Sequence, residues 1–308
     1  MIIVFGSMNI DLVMPVDHFP KKGETVMCAT DYLSRPGGKG ANQAIAACRA
    51  GAKVAMVGMV GDDAFGRRSV NNLKTQGIWT TGIGISDRPT GCATIAVDKK
   101  GANIIFVAPG ANMDATSDQI PDESLIDKNI ILTQLETPHK ETFDVLARAK
   151  KGGATTILNA APAGAIPAEA IANIDYLIVN EVEAQQLGES LGFSEETPEA
   201  IARKVDALGN IACIITLEEN GVVAAKGGEL YKTGVLPVEV VDSTGAGDAF
   251  CGFFAASLQM GSPWVNALHF ASVGAGLSCL GLGAQAGMPA YDDIQAHLKD
   301  LPAPEKIG

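Results

Sequence analysis

The sequence has little basic charge and no cysteine pair of the kind that binds zinc. Its 23 Lys and Arg residues are outnumbered by 35 Asp and Glu residues, which gives a formal net charge of −12. This balance argues against nucleic acid or an anionic membrane as a partner, although a local nucleotide site can still be positive. The six cysteines are scattered, and none forms C-x-x-C. They predict reduced core residues in a cytoplasmic protein rather than disulfides or zinc ligands.

Several common sequence signals are also missing. The first ten residues, MIIVFGSMNI, lack the basic region of a signal peptide and the length of a membrane span. No G-x-G-x-x-G follows the first apolar run, which weighs against a dinucleotide-binding fold. The Walker A spacing is absent too, since no Ser or Thr follows Lys39 and G-x-x-x-x-G-K does not occur there.

Short apolar runs alternate with helix-forming segments along most of the chain. Runs such as Ile2–Phe5, Thr155–Leu158 and Cys213–Thr216 predict buried strands. Their order predicts an α/β fold with a mostly parallel sheet covered by helices on both faces. No low-complexity linker divides the chain, so we expect residues 1–308 to form one unit.

Two segments, at about residues 10–35 and 90–110, have patterns that predict a small antiparallel sheet rather than strands of the core sheet. Prolines and a glycine break the pattern of the first segment, where Glu24–Ala29 is strand-prone. In the second, the turn Lys99-Lys100-Gly101 separates two strand-prone runs and predicts a hairpin. We interpret these segments as a lid that closes over a ligand and excludes water. An exposed lid sheet needs its edge covered, which predicts a homodimer.

The most distinctive stretch runs from Val240 to Gly252. The apolar run LPVEVV at 236–241 predicts a strand, and the residues from Ala249 onward predict a buried helix. In the turn between them, the amides of Gly245, Ala246 and Gly247 can point into one concavity at the helix N-terminus, which suits a phosphoryl group. Asp248 would lie beside that group, where a carboxylate can deprotonate an attacking hydroxyl. The alternative is a tight turn in which Asp242 or Asp248 only caps the helix.

Two more turns carry polar residues at the start of a predicted helix. Glycines precede a helix from about Gly40 to Arg49, on which Lys39 and Asn42 can share a face. Asn180 and Glu183 follow a predicted strand and are three residues apart, so they can lie on one helix face. An amide and a carboxylate suit a hydrated Mg²⁺ and phosphate oxygens, but the same pair can form a capping box.

Three motifs follow one another along the chain: G-x-G-x-N from Gly38, N-x-x-E from Asn180 and D-S-T-G-A-G-D from Asp242. In this order they resemble the signatures of the ribokinase-type carbohydrate kinases. The resemblance spans essentially the whole chain and implies a ribokinase-like fold with a Rossmann-like core. It implies a kinase that uses ATP to phosphorylate the 5-hydroxyl of D-ribose, giving ribose 5-phosphate. Kinases for another furanose sugar or a nucleoside are the alternatives, and a catalytically silent binding protein is a more distant one.

The resemblance also implies a role for individual residues. Asp248 is the implied base, and Gly245, Ala246 and Gly247 form the implied anion hole. The positions implied for ribose are Asn9, Asp11, Gly38, Lys39, Gly40, Ala41, Asn42, Glu136 and Asp248. Those implied for the nucleotide are Asn180, Thr216, Leu217, Glu218, Glu219, Asn220, Gly221, Gly247, Asp248 and Ser272. Glu183 is implied to reach Mg²⁺ through water, and a K⁺ site is implied at Asp242, Thr244, Ser278, Gly281, Gly283 and Gly287.

Among the departures from the family pattern, two fall on predicted site residues. Glu218 replaces a glycine in the usual T-L-G-x-x-G nucleotide loop, which places an acid near the path of the phosphates. Gly287 stands where such kinases often have a serine, which predicts one cation ligand fewer.

Overall fold

A ten-stranded sheet forms the centre of the molecule, and a four-stranded sheet lies beside it. The computed structural model describes residues 1–193, 196–209 and 211–308. The strands are β1 (Ile2–Phe5), β2 (Asn9–Pro15), β3 (Leu33–Gly37), β4 (Val54–Gly61), β5 (Trp79–Ser86), β6 (Gly91–Val97), β7 (Asn103–Ala108), β8 (Ile130–Thr133), β9 (Thr155–Asn159), β10 (Tyr176–Asn180), β11 (Ala212–Thr216), β12 (Val222–Lys226), β13 (Glu229–Thr233) and β14 (Glu305–Lys306).

The helices lie mostly between consecutive strands of the large sheet. They are α1 (Lys39–Arg49), α2 (Ala64–Thr75), α3 (His139–Gly152), α4 (Ala168–Ile171), α5 (Glu181–Ser190), α6 (Pro198–Ala207), α7 (Ala246–Gln259), α8 (Trp264–Ser278) and α9 (Tyr291–His297). In the part of the chain that the structure describes, no helix combines the length and the apolar character needed to cross a bilayer.

The large sheet has the order β14-β13-β12-β11-β10-β9-β8-β1-β4-β5. All neighbours from β11 through to β5 run parallel, and β12, β13 and β14 extend one edge antiparallel. Because the carboxyl ends of parallel strands meet at one edge of a sheet, the residues that follow β1, β8 and β10 are brought to the same side.

Strand β1 shows how the sheet is covered on both faces. Ile2 and Val4 belong to the core cluster that contains Phe253 of α7, whereas Ile3 and Phe5 belong to a cluster with Val145 of α3. Alternate side chains of a strand point to opposite faces, so each set is buried under its own helices. The predicted α/β core, with helices on both faces of a mostly parallel sheet, is confirmed.

The small sheet consists of two antiparallel pairs, β2–β3 and β6–β7, in the order β3-β2-β6-β7. These strands lie in the two segments predicted for the lid, and we refer to this sheet as the lid. The pairs join through β2 and β6, which run parallel to each other. The prediction of a small antiparallel sheet therefore holds for its two pairs, while the central contact between separate chain segments is parallel.

Two predicted strands are absent from the described structure. Residues 236–241, the LPVEVV run, form an irregular segment instead of a strand. Leu236 and Val238 still pack into the core, but Pro237 has no N–H, and the amides of Val241 and Asp242 both donate to the Cys279 carbonyl. Residues 24–29 form no strand either, because this part of the lid loop is mostly exposed to solvent.

Candidate active site

Helix α7 begins at a turn that sets the geometry of the site. Its N-cap is Gly245, with a φ of +80°, a backbone conformation that suits glycine. Asp248 lies in the first turn of the helix and is buried. Neither Asp242 nor Asp248 caps the helix, so the capping alternative for this motif is wrong. Asp242 instead accepts hydrogen bonds from the amides of Thr244 (2.9 Å) and Gly283 (2.8 Å).

Helices α1 and α7 approach each other closely one turn after Asp248. A Cβ atom on Gly252 would lie 2.4 Å from the Gln43 carbonyl oxygen and 2.5 Å from the Ala46 Cβ. Only glycine fits at such a distance, and the small side chains of α1 allow the same approach from the other side. This contact places Asn42 and Gln43 of α1 next to Asp248.

The Asp248 carboxylate is held by two side-chain amides. Asn42 Nδ2 donates to Asp248 Oδ2 at 2.9 Å, and Gln43 Nε2 donates to Asp248 Oδ1 at 3.0 Å. Gln43 also donates to Asn159 Oδ1 at 3.0 Å and accepts from Gln134 Nε2 at 2.7 Å. Each carboxylate oxygen keeps a further lone pair, so this arrangement fixes the carboxylate and leaves it able to accept a proton.

Glu136 connects the strand ends to the start of α1. Its Oε2 accepts from Ser7 Oγ at 2.5 Å and from the Lys39 amide at 3.1 Å. Ser7 in turn accepts from the amides of Gly40 (3.3 Å, at Oγ) and Ala41 (2.9 Å, at the carbonyl oxygen). The amides of Gly40 and Ala41 are therefore engaged within the protein, and these residues shape the loop around the site.

Asn9 lies at the start of the lid strand β2 and is almost fully buried. Its Oδ1 accepts from Asn112 Nδ2 at 2.7 Å, and Asn112 Oδ1 accepts from the Met8 amide at 2.9 Å. Since Asn112 fixes the orientation of the Asn9 amide, the Asn9 NH₂ group is directed away from Asn112.

Four carboxylates and one lysine interact electrostatically near the start of α1. Burial raises the pKa of Asp11 to about 6, with further contributions from the negative charges of Glu136 and Asp248. Burial would lower the pKa of Lys39, but the carboxylates of Asp248, Glu136 and Glu183 raise it above its ordinary value. Lys39 therefore stays an ammonium ion that partly balances the carboxylates.

The amides at the start of α7 differ in their availability. The Ala246 amide donates to the Ser243 carbonyl at 3.1 Å, which closes the turn. Within the described ranges, the amides of Gly245, Gly247 and Asp248 have no hydrogen-bond acceptor. Free amides at a helix N-terminus form a site for an anion. In this structure the available donors of the predicted anion hole are thus Gly245 and Gly247, together with Asp248.

Asn180 and Glu183 form a capping box at the start of α5. Asn180 Oδ1 accepts from the Glu183 amide at 2.8 Å, and Glu183 Oε2 accepts from the Asn180 amide at 2.9 Å. The capping interpretation of this motif is confirmed. Glu183 Oε1 remains available for a water ligand, and burial raises the pKa of this carboxyl group. The position of Glu183 near Lys39 and Asp248 keeps the magnesium hypothesis open to test.

The predicted nucleotide loop follows β11 and contains a short 3₁₀ turn, Glu218–Asn220. Glu218 has a φ of +50°, a left-handed conformation that glycine adopts easily and other residues adopt at a cost. The backbone therefore keeps the shape that a glycine would allow at this position, while the glutamate side chain is exposed. Leu217 is buried beneath the loop, and its amide donates to Gly221 at 2.7 Å.

Ser272 on α8 is buried, and its Oγ has no hydrogen-bond partner within the described residues. A buried hydroxyl without a partner is costly, and a ligand that bonds to it would remove this cost.

The predicted cation ligands come from three places: Asp242 and Thr244 precede α7, Ser278 ends α8, and Gly281, Gly283 and Gly287 lie in the loop between α8 and α9. Partial burial would raise the pKa of Asp242, but hydrogen bonds from Thr244 and Gly283 and the charge of Arg35 together lower it below its ordinary value. A Cβ atom on Gly287 would lie 2.4 Å from the Ser278 carbonyl oxygen and 3.2 Å from that of Gly281. The two carbonyls thus converge next to Gly287, and the serine that related kinases often have there does not fit this backbone.

A cleft of about 1020 Å³ separates the lid from the core. Asp11, Arg35 and Ile95 line it on the lid side, and Thr244 and Gly283 line it on the core side. The Arg35 guanidinium occupies the space that a side chain at position 283 would need. Asp11 is the predicted sugar residue in the lining of the cleft, whereas Asp248, Lys39 and Glu136 are not among the lining residues.

The comparisons with known proteins fit this geometry. The model of the pfkB family carbohydrate kinases matches residues 1–291. The chain belongs to this family. Among curated pfkB-related proteins, the ribokinase of Bacillus subtilis (strain 168) is 39% identical over 297 residues, which cover 96% of this chain and 98% of the relative.

Solved structures of family members superimpose over nearly the whole length. Ribokinase from Thermotoga maritima has a TM-score of 0.90 and 36% identity, covering 97% of this chain and 99% of that one. Arabidopsis thaliana ribokinase complexed with ribose and ATP has a TM-score of 0.87 and 32% identity, covering 97% and 98%. The predicted family and fold are therefore confirmed.

Sequence analysis missed several polar residues behind the site. Gln43, Gln134, Asn159 and Gln285 all take part in hydrogen bonds that lead to Asp248, directly or through another amide. A partial signal was present, since Gln43 directly follows the Asn42 motif and Gln134 lies two residues before Glu136.

Proposed function

We propose that this protein transfers the γ-phosphoryl group of ATP to the 5-hydroxyl of D-ribose and releases ribose 5-phosphate and ADP. The observation that carries this proposal is the Asp248 carboxylate, fixed by two amides beside free N–H groups at the start of α7. A base next to an anion site is the arrangement that phosphoryl transfer to an alcohol requires. The full-length similarity to ribokinases supports the same activity.

In this mechanism the sugar lies between the lid and α1. Asp11 and Glu136 accept hydrogen bonds from sugar hydroxyls, which directs the 5-hydroxyl toward Asp248. As the bond between O5 and the γ-phosphorus forms, the bond from that phosphorus to the bridging oxygen of ADP breaks. Asp248 takes the hydroxyl proton, and the amides of Gly245 and Gly247 stabilise the charge on the transferred group. Lys39 adds positive charge, and the lid excludes water.

We infer that Mg²⁺ and a monovalent cation such as K⁺ assist this reaction. Glu183 Oε1 can hold a water ligand of Mg²⁺, which needs few protein ligands and would neutralise phosphate charge. The converging carbonyls of Ser278 and Gly281, with Asp242 nearby, supply the oxygen ligands that K⁺ prefers. A melting temperature that rises with KCl but not with choline chloride would support the K⁺ site, and the same response to both salts would contradict it.

The identity of the sugar is tested by comparing substrates. Asp11, Ala93 and Val107 are cross-strand neighbours in the lid and share one face, with small apolar side chains beside the carboxylate. This surface suits a free pentose better than a nucleoside. We expect the highest kcat/KM for D-ribose in a panel of sugars and nucleosides, with phosphate attached to O5 by NMR. A higher value for a nucleoside would contradict the assignment, and no ADP release from any of them would favour a silent binding protein.

We predict that ribose binding weakens as the pH falls through about 6. The pKa of Asp11 is raised to about 6, mainly by burial, so its carboxylate loses acceptor capacity below this pH. Calorimetric titration of ribose without nucleotide should show affinity falling by up to about tenfold per pH unit below 6, with proton release on binding. Asp11→Asn is the control and should bind weakly at every pH. An affinity of the wild-type protein that is constant from pH 5 to 8 would contradict this role.

The raised pKa of Asp11 has the opposite effect on the stability of the ligand-free protein. Because the folded-state pKa of Asp11 lies above its ordinary 3.8, the folded protein binds more protons than the unfolded chain between about pH 4 and 6. The contribution of Asp11 to the free energy of unfolding therefore increases as the pH falls through this window.

We predict that Glu218→Gly lowers the KM for ATP several-fold. The substitution removes a negative charge near the proposed phosphate path and suits the φ of +50° at this position. Lys128→Gly is a matched control, since Lys128 also has a positive φ, of +75°, and lies outside the loop. Both variants should change the melting temperature by a similar small amount, but only Glu218→Gly should change the KM for ATP. Equal KM values in the two variants would show that Glu218 does not face the nucleotide.

We also propose a homodimer formed through the lid. Every residue of the edge strand β7 is exposed, including Ile105 (53%) and Phe106 (67%). An exposed apolar edge strand is a typical pairing surface, and a second copy would cover it. Light scattering should give twice the mass of the 308-residue chain, and a monomer at all concentrations would exclude this arrangement.

The proposed compartment is the cytoplasm. All six cysteines lie within the described ranges and none is in a disulfide, which fits a reducing environment. Fractionation of the host cells would test this.

A further inference from the structure

A chain of side-chain amides leads from helix α2 to the proposed base. Asn72 Nδ2 donates to Gln285 Oε1 at 2.8 Å, Gln285 Nε2 donates to Asn42 Oδ1 at 2.8 Å, and Asn42 Nδ2 donates to Asp248 Oδ2 at 2.9 Å. Every donor points toward the carboxylate. We refer to Asn72, Gln285 and Asn42 as the amide relay.

The relay determines which end of the Asn42 amide faces Asp248. A primary amide has an acceptor oxygen at one end and donor hydrogens at the other. Because Gln285 donates to Asn42 Oδ1, the Asn42 NH₂ group is left to donate to the carboxylate. If the Asn42 amide turned over, its oxygen would lie against Asp248 Oδ2 and repel it. The donor supplied by Gln285 removes this alternative orientation.

Gln285 is itself held in place from three directions. Asn72 fixes its side-chain amide, and Arg49 Nη1 donates to its carbonyl oxygen at 2.8 Å and to that of Met288 at 2.7 Å. The preceding residue, Ala284, packs against Gly245, since a Cβ atom on Gly245 would lie 2.6 Å from the Ala284 Cβ. The same short loop therefore contacts the proposed anion hole and, through Asn42, the proposed base.

We propose that Gln285 is a positioning residue. Through Asn42 it orients the Asp248 carboxylate and holds it in a fixed position relative to the amides at Gly245. This inference rests on the proposed kinase function. Gln285 lines the cleft between the lid and the core, but it is not among the residues assigned to the sugar or the nucleotide. Its effect is on the turnover step, because it sets the direction of a hydrogen bond to the group that accepts the proton.

The test replaces Gln285 by Glu, which has nearly the same size. The introduced carboxylate can still accept from Asn72, but it cannot donate to Asn42 Oδ1, so Asn42 is expected to turn and present its oxygen to Asp248. We expect kcat with ribose to fall by about 10- to 100-fold, with the KM for ATP changed by less than about twofold. Gln119→Glu is the matched control: it loses donors to the carbonyls of Gly58 (2.9 Å) and Gly82 (3.1 Å), outside the relay. This control should lower the melting temperature and leave kcat unchanged.

A double-mutant cycle distinguishes positioning from a general structural effect. If Gln285 acts through Asn42, then adding Gln285→Glu to Asn42→Ala should cause little further loss of kcat. A loss that is the product of the two single losses would overturn the proposal, and so would an unchanged kcat in Gln285→Glu alone. Should Gln285→Glu fail to fold, Gln285→Met removes the same donor without adding charge and enters the same cycle. A wild-type protein that does not phosphorylate ribose would instead refute the proposed function.

Discussion

Replacing Asp248 by Asn is expected to lower kcat by about 10²- to 10⁴-fold, because the amide cannot accept the proton of the 5-hydroxyl. Asparagine has nearly the same shape as aspartate, so the proposed sugar-binding positions Asp11 and Glu136 should keep their arrangement. We therefore expect the ribose affinity measured by calorimetry to stay within a few-fold of the wild-type value. The split between a large loss of turnover and a small loss of binding identifies a group that acts in the chemical step.

The substitution also has a structural cost that must be separated from the catalytic one. Both oxygens of Asp248 accept from amide donors, and an asparagine in its place would direct its own NH₂ group against one of them. An unpaired buried donor costs about 1–3 kcal/mol. Asp206→Asn is a control of the same kind, because Asp206 is buried and accepts from the amides of Gly227 (2.8 Å) and Gly228 (2.7 Å). It should lower the melting temperature without changing kcat. If Asp248→Asn retained wild-type turnover, another group would have to be the base.

The fold and the motif residues were predictable because their signals are local. The buried strand Ile2–Phe5 and the helices that start near Lys39 and Ala246 follow from apolar runs and turn glycines. The LPVEVV run shows the limit of such patterns. Its apolar side chains do pack into the core, but a strand also needs a partner for its backbone, and this segment forms no ladder with a neighbouring strand in the described structure. Burial alone does not distinguish an extended loop from a strand.

The amides around Asp248 could not be predicted for a different reason. Asn42 and Asp248 are 206 residues apart in sequence, and Asn42 and Gln285 are 243 apart. Glutamine and asparagine are common surface residues, so residue type alone does not mark these as buried donors, and the neighbouring motif residues give only a partial signal. Their role depends on the close contact of α1 with α7 at Gly252, which exists only in the folded protein.

The structure shows what changes in the predicted nucleotide loop when Glu218 replaces the usual glycine. In the sequence Glu218 replaces a glycine and places an acid near the path of the phosphates. In the structure the loop keeps a left-handed residue at this position, so the change lies in the side-chain charge and in local strain. At Gly287 the difference lies in the space available, since the converging carbonyls of Ser278 and Gly281 leave no room for a serine side chain.

Replacing Gly245 by Ala is expected to lower kcat by about 10²- to 10³-fold, the range typical for loss of one anion-hole donor. Gly245 has a φ of +80°, and its added Cβ would lie 2.6 Å from the Ala284 Cβ and 2.8 Å from the Ala284 Cα. Either the turn or the facing loop must move. Movement of the turn shifts the amides of Gly245 and Gly247 relative to Asp248, and movement of the loop displaces Gln285, which contacts Asp248 through Asn42. Ribose affinity without nucleotide should change little, because the sugar carboxylates lie on other elements.

Gly261→Ala provides the matched control for this prediction. Gly261 has a φ of +84°, close to that of Gly245, but apart from its chain neighbours no described residue has an atom within 4 Å of the position that its Cβ would take. Both variants therefore carry the cost of a left-handed alanine, about 1–2 kcal/mol, and should lose similar stability from this source. Only Gly245→Ala adds the collision with Ala284, so only its turnover should fall. If the two variants kept the same kcat, the amides at the start of α7 would not be the groups that stabilise the transferred phosphoryl group.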